Sequence, residues 1–450
     1  MYTTLRAFDV GLNEEHLDEI SFLYEQRRAG LSTLGRDWRD LSPLEERLEA
    51  HLDALVVGGD LALDVCSRAV ADGDPGQLFA SVSTFCRQNR TELLAETLRI
   101  LDYQDLRKVE AVGDALKLES PLEWSVFIGD ALVRRDARIA PMLAGVAGYR
   151  RLRATAQSLA DTLMQQPLHV VTFIDALGKL HATRAQDSLL QYIDHQNLQV
   201  RRSALIALLR CDFPASELRS LGVQATETWA CVELALCGDR SVRGDLLQGL
   251  QAAESPDIFL LALGLLGDLS TIGVLVEALD AEEGVAAAAQ ALEWITGARL
   301  HEQHFVPEDV DEALLFDHEL PAWRQYKQAP RRLDGQPYGE SFERVCQDKE
   351  AWTSWLSNNA QLFDAALRYR NGKPVSPATL LADLTDPGGS VELRRLTALE
   401  LEIRYRCRVA FEVDMPVATQ VRALQQIDAW IRELPERLEP GLWHVRNTSE

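Results

Sequence analysis

Basic residues are almost missing from one stretch of this 450-residue chain. Between Gln251 and Leu320 there is one, Arg299, against fifteen Asp or Glu, a local balance of −14 within a total of −23. Residues 321–450 hold eighteen acids and eighteen bases, so the acidity is local. A field of that sign repels phosphate backbones and attracts basic partners, which disfavours direct nucleic-acid binding. Catalytic signatures are missing too. The chain has no G-x-S-x-G, no P-loop and no dinucleotide glycine pattern, and Gly264-x-x-Gly267 reads as a helix C-terminus. Neither a catalytic residue nor a cofactor is expected. The seven cysteines, Cys66, Cys86, Cys211, Cys231, Cys237, Cys346 and Cys407, show no C-x-x-C spacing and read as buried free thiols in a reducing compartment. Met1–Val10 lacks a basic stretch followed by an apolar core, so no secretory signal is expected. The longest clean apolar run, Ile258 to Gly267, is too short to span a bilayer. These absences lead to the expectation of a cytoplasmic protein that does not bind membranes.

What the chain does have is a repeat. An Ala-Leu pair returns at Ala176-Leu177, Ala207-Leu208, Ala235-Leu236, Ala262-Leu263 and Ala291-Leu292, at spacings of 31, 28, 27 and 29 residues. That interval fits two short helices and two turns, the period of a helical solenoid. Ala lets the next helix come close, and Leu fills the space between layers. Inner helices are expected near 169–180, 198–210, 226–237, 257–267 and 284–296, with partners near 184–193, 215–221, 241–250 and 271–279. Asn197 is placed to cap one inner helix, with Arg201 bonding between repeats. The predicted fold is all-α: a right-handed superhelical stack of antiparallel helix pairs, a HEAT-like α-solenoid with divergent helical caps at both ends.

Punctuation divides the rest. Residues 1–59 read as an N-terminal helical cap, with Asn13 capping its first helix, Ser42-Pro43 opening the second and Gly58-Gly59 ending it. Residues 60–165 read as degenerate helical repeats and 166–300 as the regular ones. Residues 301–336, with prolines at 307, 321 and 330 and little apolar periodicity, read as an acidic irregular loop. Residues 337–450 read as a C-terminal helical region capping the stack, with helices over Tyr338–Asn358, Pro377–Leu384, Val391–Cys407 and Pro416–Glu433.

Two blocks carry a family resemblance. Glu14-Glu15-His16-Leu17 through Arg27-Arg28, then Leu44-Glu45-Glu46-Arg47-Leu48-Glu49-Ala50-His51-Leu52-Asp53-Ala54-Leu55, form the first. Gly372-Lys373-Pro374 through Leu399-Glu400-Leu401, ending near Gln420, form the second. Both resemble the opening and closing blocks of a family of bacterial HEAT-repeat proteins found near type VI secretion genes, with Ala54 where that family usually has Gly. The resemblance implies a role linked to type VI secretion and brings no catalytic residues with it.

Candidate sites follow from the acidic block. His301-Glu302-x-His304 with His318 could supply three metal ligands, yet the spacing matches no standard zinc motif, and ordinary loop histidines are expected. His16, His51, His169, His181, His195 and His444 read as singletons. Trp229 and Trp294 read as core; Trp352 and Trp355 share a helix face. A long non-repeat segment in a repeat protein is where binding specificity often sits. The expected partner-binding residues are therefore Glu282, Glu283, Glu302, Glu308, Asp309, Asp311, Glu312, Asp317, Glu319 and Trp323, and the expected partner is a basic protein. With the resemblance, the expected partner becomes a type VI effector toxin, for example a basic nuclease, and this chain its immunity protein. An adaptor loading cargo on the secretion spike is the alternative, and a HEAT-like lyase or DNA glycosylase a distant one.

Overall fold

The computed structural model describes residues 4–31, 37–133, 138–165, 169–434 and 439–443. It is helical over 67% of the chain, with twenty-three α-helices and four short strands among the described residues. None of these helices is long and apolar enough to cross a membrane. The chain divides into two compact units, residues 1–245 with 375–450, and residues 246–374.

In the first unit every second helix between Pro75 and Arg210 stacks on the one before. Pro75–Arg87, Leu106–Glu119, Ala140–Tyr149, Val170–Lys179 and Leu198–Arg210 form this series, with shorter helices between them. The expected inner helix at 198–210 is observed at Leu198–Arg210, with the Asn197 side chain accepting from the Gln199 N–H. Arg201 bonds the Ile193 carbonyl and lies 4.2 Å over the Trp229 ring, the structural role expected of it.

All five Ala-Leu pairs are buried, each Leu completely. A fully buried Leu contributes roughly 1.5–3 kcal/mol. The small residue earns its place through a partner that periodicity did not single out. Gly178 lies against Ala207, such that a Cβ on the glycine would come 2.7 Å from the Ala207 Cα. Gly148 faces Ala176 in the same way at 2.8 Å, and within the second unit Gly264 faces Ala291 at 2.7 Å. A glycine in the last turn of one helix thus docks on the alanine of the next.

Some local expectations fail for identifiable reasons. Asn13 does not cap a helix. The first helix runs Leu5–Leu31, Thr4 Oγ1 accepts from the Ala7 N–H at its start, and Asn13 is buried inside it against Gly58. Ser42 and Pro43 do open the Ser42–Val57 helix, but Ser42 Oγ bonds Glu46 instead of a backbone N–H. Residues 301–336 are irregular only in part. They contain a strand, His301–Pro307, a 3₁₀ turn, Glu312–Leu314, and a helix, Leu320–Tyr326. The expected helix over Tyr338–Asn358 is instead a strand, Gly339–Val345, antiparallel to the first, followed by a helix, Lys349–Asn359. Both strands are largely exposed, and their apolar residues, adjacent Phe305 and Val306 in one and Phe342 and Val345 in the other, do not alternate with polar ones, so no apolar period of two marks them. Trp352 is fully buried and Trp355 half-buried.

The C-terminal helices do not simply cap an end. Pro377–Thr385, Val391–Tyr405 and Val417–Arg432 pack on one another, and their apolar faces close over Trp38 and Leu41. Val391–Tyr405 packs on Cys231–Cys237 and Leu198–Arg210, whereas Val417–Arg432 packs on Ser42–Val57. The boundaries read at 300/301 and 336/337 therefore do not coincide with the division by packing, which falls at 245/246 and 374/375. The boundary read at 165/166 adjoins residues outside the described ones, and His444 lies outside them.

In the second unit Asp257–Leu266 packs on Val285–Thr296, and Lys349–Asn359 on Ile272–Glu277. Residues 368–372 close the C-terminal ends of the first pair. Arg368 Nε donates to the Leu266 carbonyl at 2.7 Å, and the Asn371 N–H donates to the Trp294 carbonyl.

The glycine contacts yield a paired prediction. Gly178→Ala should destabilise by about 1–3 kcal/mol, because the new methyl meets backbone, despite alanine's better helix propensity. Gly145→Ala, whose Cβ would meet only a Thr172 methyl at 3.7 Å, should be neutral or stabilising. Urea unfolding of the two variants checks both.

Candidate binding surface

The ten residues expected to bind a partner all lie in the second unit, and the structure sorts them. Four are engaged within the chain. Glu302 pairs with Arg344 across the two strands at 2.7 Å, and Glu312 pairs with Arg324 at 2.6 Å. Asp311 accepts from the Ala313 N–H and caps the 3₁₀ turn, and Glu319 accepts from the Phe316 N–H. Trp323 is half-buried, with Lys327 Nζ 4.9 Å from its ring centroid. The other five, Glu282, Glu283, Glu308, Asp309 and Asp317, are exposed and make no ion pair among the described residues.

The same segment exposes apolar side chains that the charge count had hidden. Leu314, Phe316 and Tyr326 are 80%, 68% and 69% exposed, and Phe305, Val306 and Phe342 on the two strands are also exposed. Unneutralised carboxylates among exposed aromatic and aliphatic groups suit contact with another macromolecule.

The histidine cluster does not assemble. Strand alternation sends His301 to the face opposite Glu302 and His304. Glu302 is held by Arg344, the His304 ring packs on Phe342, and His318 stacks on Phe316. Among the described residues no group of three or more His, Cys, Asp or Glu is arranged to hold a metal ion.

A second charge cluster lies elsewhere, in the first unit, and sequence reading missed it. A cleft of about 480 Å³ is lined by Arg151, Lys179, Arg202, Arg210 and Arg395 and by Asp175, Glu233, Glu392, Glu402 and Glu412. These charges largely neutralise each other. Glu412 bonds Lys179 at 2.8 Å and Arg151 at 2.9 Å, Glu402 bonds Arg210 at 2.7 Å, and Glu233 bonds Arg202 at 2.7 Å. Three residues read as singletons have partners: His181 lies 3.3 Å from Glu402, and His16 and His51 meet, Nδ1 to Nδ1, at 2.9 Å.

The backbone explains how the cleft is built. Arg151, His181 and Asp212 each follow a stacked helix in the left-handed conformation, and each turns its side chain toward the C-terminal segment. Their spacings, 30 and 31 residues, repeat the Ala-Leu period and were the available signal. The Glu412 carboxyl is opposed by burial, but Lys179 and Arg151 outweigh that and hold it at about 2. Burial raises the Asp175 carboxyl, with Arg210 and Lys179 offsetting only part of the effect. Burial likewise raises Glu233, whose Oε2 has no hydrogen-bond partner. The cleft is thus a clamp holding the C-terminal segment.

No family model, curated protein or solved structure matches this chain.

Opposite pH responses should follow. A carboxyl held below its unfolded pKa stabilises the fold above that value and loses the contribution as pH falls, so Glu412→Gln should cost about 3 kcal/mol at pH 7, with the difference shrinking below about pH 4.5. A carboxyl pushed up costs stability at neutral pH until it takes up a proton. Asp175→Asn should therefore be neutral to stabilising at pH 7 and lose any advantage in acid. Denaturant unfolding at pH 7 and pH 4 measures both.

Proposed function

We propose that this chain is a non-enzymatic, HEAT-like helical-repeat protein that binds a basic protein through the acidic region 251–320. The observation that carries this reading is the set of exposed, internally unpaired carboxylates, Glu282, Glu283, Glu308, Asp309 and Asp317, in a segment that also exposes Leu314, Phe316 and Tyr326. Charge complementarity of this sort steers association and selects partners, while the apolar groups supply the buried contact. Two features support a solenoid: the stacking of alternate helices and the recurring glycine-on-alanine contact.

Taken with the resemblance to type VI-associated HEAT-repeat proteins, the partner is an effector toxin and the chain its immunity protein. A basic nuclease would be matched electrostatically by a surface that competes for its phosphate track. An adaptor that loads cargo on the secretion spike is the second reading, since the same surface would serve it.

The test is binding to basic proteins encoded in the same gene cluster, by calorimetry at 50 and 300 mM salt. Replacing Glu308, Asp309 and Asp317 together by Lys should weaken binding at least tenfold, roughly 1.4 kcal/mol, and flatten its salt dependence. Unchanged affinity and salt response would sink the electrostatic reading. Co-expression with the toxin then separates the two roles: an immunity protein restores growth and a loader does not.

A further inference from the structure

The two strands of the second unit form a ribbon with an open edge. They pair from His301 with Val345 to Pro307 with Gly339, and they are the whole of their sheet. The Cys346 N–H donates to the Leu300 carbonyl at 2.8 Å and the Glu308 N–H to the Tyr338 carbonyl at 2.9 Å. Because antiparallel pairs alternate, the hydrogen-bonded pairs between these ends are Glu302 with Arg344, His304 with Phe342 and Val306 with Glu340. The N–H and C=O groups of His301, Gln303 and Phe305 therefore point away from the partner strand. They have no hydrogen-bond partner among the described residues. Strand 339–345 packs beside the Val285–Thr296 helix, which leaves the 301–307 edge as the open one.

A lone two-stranded ribbon is marginal in water, and an exposed edge is a template for pairing. Phe305 and Val306, exposed on opposite faces of the strand, and Phe342 across from it would lose water on addition of a third strand. Glu340 and Glu343 line the ribbon, and Glu308 and Asp309 extend it. The second unit as a whole holds twenty-one acids against ten bases, so a second copy would bring like charge to the same edge.

We propose that the His301–Pro307 edge accepts an extended, lysine- or arginine-bearing segment of the partner protein as a third β-strand. Main-chain bonds to His301, Gln303 and Phe305 supply register. Apolar side chains of the segment pack on Phe305 and Val306, and its bases face Glu308, Asp309 and the ribbon carboxylates. This deepens the acidic-surface reading and rests on it, adding a backbone requirement that charge alone does not impose.

The experiment uses the full chain and a fluorescent, acetylated Lys-Val-Lys-Val-Lys-Val-Lys peptide. It is compared with the same peptide N-methylated at alternate residues and with its Glu-Val counterpart. Binding is read by anisotropy, and hydrogen exchange follows the strand. The lysine peptide should bind and slow exchange over 301–307, the N-methylated one should bind about tenfold more weakly, and the glutamate one should not bind. Gln303→Pro removes an outward N–H without touching a ribbon pair and should weaken lysine-peptide binding similarly, with unchanged exchange at Glu302 and His304 reporting that the ribbon persists. The N-methylated peptide leaves the protein untouched and keeps the test decisive if that variant misfolds. Equal binding of the N-methylated peptide overturns strand addition while leaving the acidic surface intact. Loss of all lysine-peptide binding overturns strand addition as well, and the acidic-surface reading then stands or falls on the salt and charge-reversal measurements above. Sedimentation showing a dimer that Gln303→Pro dissociates assigns the edge to a second copy and overturns the proposal.

Discussion

Close approach of helices at their C-terminal turns is the constraint from which most of this structure follows. Gly148 on Ala176, Gly178 on Ala207 and Gly264 on Ala291 bring backbone against backbone where the last carbonyls of a helix have no intrahelical partner. Water is excluded there, so the chain must supply donors. It supplies arginines. Arg151 donates to the Gly148 carbonyl, Arg408 to that of Arg210, and Arg404 to those of Leu236 and Gly238; in the second unit Arg368 and Arg370 reach the carbonyls of Leu265 and Leu266. A guanidinium suits the task because it presents several donors at once, and its positive charge complements the helix C-terminus.

This need for donors gives the C-terminal segment its path through the first unit. Arg404 reaches the Cys231–Cys237 helix end, Glu402 reaches Arg210, and Arg408 reaches Asp212. Further along, Glu412 reaches Arg151 and Lys179, the Asp414 carbonyl accepts from Arg27, and the Val417 N–H donates to Glu45. Residues 402–417 therefore run back along the stacked helices toward the N-terminal ones. The side of the series that they follow is already taken by the chain itself, and most of its charges are paired. That argues for seeking a partner's surface in residues 282–345, where carboxylates and aromatics remain unmatched.

The helices were legible because burial forces a period on sequence: Ala176, Ala207, Ala235, Ala262 and Ala291 mark helices that the structure places within a few residues of expectation. The glycine partners were less visible, since Gly178 and Gly264 follow their alanines by two positions and look like ordinary helix interiors until the neighbouring helix is present. The ribbon was invisible for the opposite reason. His301–Pro307 and Gly339–Val345 are exposed on both faces, so nothing imposes an alternation, and 31 residues separate them. Of the candidate site, the acidic field was legible from composition. Which carboxylates stay unpaired was not, because Arg324 and Arg344 come to Glu312 and Glu302 only through the fold.

That distinction decides how charge should be weighed in this protein. The first unit also carries an excess of acids, yet in its cleft Glu233, Glu392, Glu402 and Glu412 each bond a cation directly, and Glu412 is committed to Lys179 and Arg151. A partner competing for such a carboxylate would have to leave two half-buried cations without their anion. Glu308, Asp309 and Asp317 carry no such commitment; a basic partner would meet them by displacing water and counterions only. Equal numbers of carboxylates thus make a clamp in one unit and an available surface in the other, and what separates them is the placement of arginine.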